Sequence, residues 1–295
     1  MNNNTLLTTK KSRFQFSEHP WISLLIIVLL LIVLFILSEI LGLSEILGLE
    51  SSQISFLLLL FVIVPYVLHL PKGKRSYKEF LADIRLSHVQ PLLPLLLLGI
   101  SCWLILAICQ ATGSIIYGLS QGQPLTTTFL RYVFDITVEL PPASWSLVTS
   151  IPSILEEVLW RGIILTLYLS RYSERKSIVI STVGFGLLHL FNLLPGSGRE
   201  VVWVLGQVVW AAIIGLFYGY VVLKSDSLLP AMLVHWLGNT FIYAFTRYIQ
   251  LNASVTTNAI YGIIITLGLV PTILMILWVR FVVARWPHVS ANSRD

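Results

Sequence analysis

The chain has 295 residues, of which 56% are hydrophobic and only 11% charged, and its mean hydropathy is +0.84. An ordinary soluble domain carries about a quarter charged residues, so a water-soluble globule is excluded, as is disorder, which needs low hydrophobicity. The 18 Gly and 13 Pro follow no period, and the formal charge of +5 comes from basic residues placed between apolar runs without interleaved aromatics. Collagen-like and low-complexity chains are excluded on the first count and a nucleic-acid partner on the second.

Apolar runs of membrane-crossing length occur at 21–41, 54–70, 91–119, 145–170, 177–194, 201–223, 228–248 and 259–283. They are continuous instead of alternating, which predicts helices and not barrel strands. The fold class expected is all-α: a polytopic transmembrane bundle of eight spans, with residues 1–295 forming one integral membrane domain.

The first run follows a polar, basic stretch and has no small-residue cleavage site after it, so it reads as a retained helix. At its end Leu-Ser-Glu-Ile-Leu-Gly occurs at 37–42 and again at 43–48. A six-residue period suits neither helix nor heptad, so an extended acidic loop end is expected there. The third run holds both cysteines, Cys102 and Cys109. On one helix they lie about 10 Å apart along the axis, too far for a disulfide. Gly196, Ser197 and Gly198 read as a flexible connection between the fifth and sixth runs.

The basic residues orient the bundle. With the amino terminus cytoplasmic, Lys10, Lys11, Arg13, Lys72, Lys74, Arg75, Lys78, Arg85, Arg171, Arg175, Lys176, Lys224, Arg280, Arg285 and Arg294 lie inside, and only Arg131, Arg199 and Arg247 lie outside. The bias predicts eight crossings with both termini cytoplasmic. An integral multi-pass protein is expected, in the cell membrane if the source is prokaryotic.

Ionisable groups inside spans are costly and ask for a partner or a purpose. They concentrate in three runs: Glu156, Glu157 and Arg161 in the fourth, His189 in the fifth, and His235 with Asn239 in the seventh. Glu39, His69 and Arg280 sit near run ends, where snorkelling suffices. Glu157 and Arg161, four apart, share a helix face with acid before base and can neutralise each other. Glu156 is rotated about 100° away and must face another helix. Phe185 and His189 share a face, Asn192 follows within a turn, and His235 and Asn239 likewise share a face.

Two histidines and one carboxylate from three helices can converge on a water molecule. Desolvation makes a carboxylate a base effective near neutrality, so Glu156 with His189 could activate water for attack on a peptide carbonyl. His235 and Asn239 could then stabilise the oxyanion. Alternatively, Glu156, His189 and His235 could ligate zinc, whose bound water is the nucleophile. The bland reading of each group, an ion pair or interhelical hydrogen bond serving only architecture, weakens when three helices carry such groups together.

The strings Glu-Glu-Val-Leu-Trp-Arg at 156–161, Phe-Gly-Leu-Leu-His at 185–189 and His-Trp-Leu-Gly-Asn at 235–239 resemble the three-part pattern of the CPBP intramembrane proteases. That family comprises type II CAAX prenyl endopeptidases and bacteriocin-processing, lysostaphin-resistance-like enzymes. The resemblance covers 145–245, a catalytic core within the membrane domain. It implies an endopeptidase of membrane-tethered or membrane-embedded peptides, with Glu156 and His189 activating water, His235 and Asn239 binding the oxyanion, and Glu157, Arg161 and Phe185 in support. The family is often classed as metalloproteases, and the metal stays open here. Partners expected are a tethered peptide or protein substrate and the lipid bilayer, with no nucleic acid.

His-Glu-x-x-His, Gly-x-Ser-Gly and a pair of intramembrane aspartates are all missing from the sequence. Two other functions remain: a proton-coupled transporter, whose relays use the same residue types, and a non-catalytic immunity or scaffold protein.

Overall fold

The computed structural model describes residues 18–47, 51–69, 76–134, 151–193, 200–252, 262 and 264–286. Among them all regular structure is helical and no strand occurs. Helix α1 is Pro20–Ile40, α2 the short Leu43–Leu47, and α3 Ser51–Leu58, which runs on with π winding through Leu59–His69. Helices α4 (Tyr77–Asp83), α5 (Leu92–Ser120) and α6 (Thr127–Phe134) follow. Helix α7 is composite: Ile151–Glu157, a π-wound Val158–Ile164, then Leu165–Leu169. Helix α8, Glu174–Leu188, ends in a 3-10 turn, His189–Leu193. Helices α9 (Val201–Ser225) and α10 (Leu229–Asn252) complete the core, with α11 formed by the π turn Ile264–Leu269 and Val270–Val283.

Four helical stretches are each long and apolar enough to cross a membrane: Pro20–Ile40, Leu92–Ser120, Glu174–Leu193 and Val201–Ser225. These correspond to the first, third, fifth and sixth apolar runs. The second and last runs hold shorter apolar helices, Gln53–Pro65 and Val270–Val283. The first residues of the fourth run, 145–150, and the Gly196, Ser197, Gly198 connection lie outside the described residues.

The repeat at 37–48 departs from the expected extended loop. Its first copy stays helical to Ile40, Gly42 turns the chain at φ 59°, a value glycine adopts without steric cost, and Leu43–Leu47 coils again. Helix α4, in the polar connection after the second run, was not expected either. A capping box starts it, with Ser76 Oγ accepting from the Glu79 N–H and Glu79 accepting from the Ser76 N–H.

Small residues set the helix spacing. Gly99 of α5 lies against Pro230 and Leu233 of α10, and Leu106 of α5 lies against Gly238 of α10, so these two helices run the same way in close contact. Helices α8 and α9 run oppositely, pairing Gly186 with Val208 and Ala212, Thr182 with Gly215, and Ile178 with Gly219. Where lipid supplies no hydrophobic drive between helices, such close approach is the main source of association. At one end of the bundle Arg85 ties three elements together. Its Nε donates to Asp226 Oδ1 at 2.9 Å and its Nη1 to Thr166 Oγ1 at 3.0 Å, and His88 Nδ1 reaches the Asp226 carbonyl oxygen at 3.0 Å.

Candidate active site

The π-wound part of α7 begins directly after the two adjacent carboxylates, and the five residues beyond Glu157 include the arginine four positions on. Glu157 and Arg161 are fully buried. Arg161 Nη1 donates to Glu157 Oε1 at 3.2 Å, and its Nη2 reaches the Gly215 carbonyl oxygen of α9 at 3.4 Å. The guanidinium lies over two rings, 4.3 Å from the centre of Phe185 and 5.1 Å from that of Tyr218. A cation within reach of two aromatic rings is held favourably away from water.

The same Glu157 oxygen has a second partner: His235 Nδ1 of α10 lies 2.8 Å from it. Because a carboxylate only accepts, this bond places a proton on Nδ1. The other ring nitrogen, Nε2, lies 3.8 Å from Glu156 Oε2. Glu156, unlike its neighbour, keeps 20% of its side chain exposed. His235 is therefore flanked by both carboxylates of the pair, one on each ring nitrogen. Its ring also stacks on Tyr218 at 5.1 Å and 18°.

His189 stands where α8 gives way to the 3-10 turn. Its Nδ1 lies 3.1 Å from the Phe185 carbonyl oxygen, which again requires an Nδ1 proton and leaves Nε2 as an acceptor. Glu156 and His235 are both close enough to act on it electrostatically. Phe185 holds the two imidazoles together: it meets His189 edge-on at 5.1 Å and 88°, and His235 at 5.9 Å and 85°. Asn239 lies one turn beyond His235 on α10 and is half-buried. Asn192 Nδ2 donates to Gln207 Oε1 of α9 at 2.9 Å.

The structure thus brings Glu156, Glu157, Arg161, Phe185, His189 and His235 into one neighbourhood, with Asn239 one turn away on the same helix. Among the described residues, no group of three or more His, Cys, Asp or Glu is disposed to hold a metal ion. His235 and His189 each use Nδ1 toward an acceptor and leave Nε2 free, an arrangement that serves a water-activating or a metal-ligating imidazole alike.

Tyr218 and Gly215 were missed because their run carries no ionisable side chain in its middle. The signal that could have found them is the small-residue pair Gly215 and Gly219, four apart in an apolar helix. A Cβ at Gly215 would lie 2.8 Å from Arg161 Nη2, so only glycine leaves room for the guanidinium.

Residues 139–241, about a third of the chain, match the family model described as Type II CAAX prenyl endopeptidase Rce1-like. No curated protein and no solved structure matches the chain. The matched segment contains all three motif strings and agrees with the resemblance they carry. Over residues 139–241 the chain is similar to the Rce1-like type II CAAX prenyl endopeptidases.

Proposed function

We propose that this protein is an intramembrane endopeptidase that hydrolyses a peptide bond in a membrane-tethered substrate, using water activated by Glu156 and His189. The observation that carries the reading is the pair of contacts on His235, with Glu157 at 2.8 Å on Nδ1 and Glu156 at 3.8 Å from Nε2. A purely structural ion pair needs one carboxylate; here a second, partly exposed one faces the same imidazole.

The mechanism follows from the proton positions. His189 Nε2 and the Glu156 carboxylate hold a water molecule between them. Glu156 takes its proton as the water oxygen attacks the scissile carbonyl carbon. The oxyanion formed is met by the Asn239 amide and by His235 Nε2. Since the Nδ1 proton is already given to Glu157, Nε2 donates only from the doubly protonated ring, and the Glu157 carboxylate supplies the counter-charge that this form needs. Glu156 then delivers its proton to the departing amide nitrogen. The C–N bond breaks, leaving an amine and a carboxylic acid that gives up its proton to the amine or to solvent. Each such proton transfer contributes roughly 10²- to 10⁴-fold.

The membrane setting comes from the four long apolar helices and the charge bias of the connections. We place eight crossings and both termini on the cytoplasmic side, residues 1–295 in one membrane domain, and the catalytic core within 145–245. Groups at membrane depth favour a substrate held at or in the bilayer, and the prenylated peptides of the CAAX endopeptidases fit that demand.

The test is cleavage of a membrane-tethered peptide by the purified protein in vesicles, with products read by mass spectrometry in ¹⁸O-water. One heavy oxygen is expected in the new carboxyl group, and Glu156→Gln should abolish the product while preserving the fold. Unchanged turnover in that variant rejects the mechanism, and ion flux without cleavage favours a proton-coupled transporter. A parallel arm with chelator reads whether a metal serves the site.

A further inference from the structure

The direction of the His189 imidazole is a structural problem that the motif does not solve. Residues to Leu188 are α-helical and His189–Leu193 continue with 3-10 winding. Such turns are poorly bonded internally, so the ring's aim depends on what holds the turn at both sides. Before it, Gly186 lies directly on α9: a Cβ there would be 2.7 Å from the Val208 carbonyl oxygen and 2.9 Å from the Ala212 Cβ. After it, the Asn192 amide donates to the Gln207 amide oxygen of α9 at 2.9 Å.

Gln207 lies on one stripe of α9 with Ala211, Gly215 and Tyr218, at spacings of four, eight and eleven residues. Gly215 receives Arg161 and Tyr218 stacks on His235. One face of α9 therefore reaches all three catalytic helices: α7 through Gly215, α10 through Tyr218 and the end of α8 through Gln207. Gln207 of this face and its partner Asn192 in the 3-10 turn are polar residues that the hydrolytic steps leave unused.

We propose that Asn192 and Gln207 are positioning residues for His189, their amide bond clamping the 3-10 turn so that the imidazole keeps Nε2 on the side of Glu156. The proposal rests on the hydrolase reading and deepens it. Neither residue touches the reacting atoms. Each acts through the turn, whose displacement by about 1 Å is enough to cost up to 10²-fold in rate.

The experiment compares Gln207→Met and Asn192→Leu, which keep side-chain bulk and remove the amide, with the reciprocal exchange Asn192→Gln and Gln207→Asn together, which keeps the summed length and the amide pair. Peptide cleavage in vesicles should show kcat reduced about 10-fold or more in each single variant, with KM unchanged and the thermal midpoint nearly so, and most of kcat recovered in the exchange. A kcat within about twofold of the parent, a raised KM with kcat intact, or a loss the exchange does not recover would each overturn the clamp. A second readout does not need turnover: ¹⁵N-histidine NMR should show His189 as a single Nδ1–H tautomer in the parent and a mixture in Gln207→Met. An unaltered tautomer there rejects the clamp. If the parent protein cleaves nothing, the hydrolase reading fails and the imidazole signals alone judge the clamp.

Discussion

His235 and Glu157 meet at 2.8 Å in a site where Glu157 has no exposed surface, and the oxygen that receives the imidazole also receives Arg161. One buried carboxylate thus serves a cation on its own helix and a ring on another. Its neighbour Glu156 stays partly open. In the proposed mechanism the two adjacent acids divide the work: one fixes the proton on His235 Nδ1, and the other faces the reaction.

Glu157→Gln keeps the shape and removes the charge. The amide can still accept from His235, but the doubly protonated ring loses its counter-ion. The expected result is a protein that folds and cleaves a tethered peptide about 10² times more slowly, measured as kcat. A rate equal to the parent's would show that His235 does not work through this contact.

Arg161 is the more structural half of the pair. Arg161→Met leaves Glu157 buried with only an imidazole for company, and breaking a buried pair from one side costs about 3 to 5 kcal/mol. The thermal midpoint in detergent should fall accordingly. Arg161→Lys should rescue only part, since a compact ammonium lacks the forked nitrogens that reach both Glu157 and Gly215 beside the Phe185 and Tyr218 rings.

Gly186→Ala tests the contact of α8 with α9. The added methyl would meet the Val208 carbonyl oxygen at 2.7 Å, and backbone cannot swing aside as a flexible side chain can. A loss of about 1 to 3 kcal/mol is expected from overpacking, read by thermal unfolding, together with a lower kcat as His189 shifts. By contrast, the tip of a Leu106 side chain is all that a methyl at Gly238 meets, at 3.4 Å, and Gly238→Ala should be well tolerated.

The Arg85 clasp lies at an exposed end of the bundle. Asp226, at φ 50° and half-exposed, accepts from Arg85 and His88. Asp226→Asn should retain the turn, because Asn tolerates that backbone region, and should cost no more than about 1 kcal/mol, as exposed pairs do. Rising salt should narrow the difference from the parent. Peptidase kcat should stay unchanged, which separates this clasp from the buried ion pair.

Much of the site was legible before the fold. Spacing alone put Glu157 with Arg161, Phe185 with His189 and His235 with Asn239, because residues four apart share a helix face whatever the helix packs against. The rotation of Glu156 away from Glu157 likewise follows from 100° per residue. The shared use of Glu157 by Arg161 and His235 was not legible, and neither was Tyr218, since one-dimensional spacing says nothing of how helices are turned toward each other. The repeat at 37–48 was read as extended because a six-residue period suits neither helix nor heptad, whereas helical turns formed on both sides of Gly42.

The sequence by itself determined that this chain is a set of apolar helices carrying a few ionisable groups in fixed relation along each helix, because hydropathy and helical pitch are local properties. The tertiary structure alone decided which nitrogen faces which oxygen: Nδ1 of His235 on Glu157, Nε2 toward Glu156, and the Asn192 amide on Gln207. Those choices depend on interhelical distance and axial rotation, which glycines such as Gly186 and Gly215 set through close backbone packing that no pattern within one helix encodes.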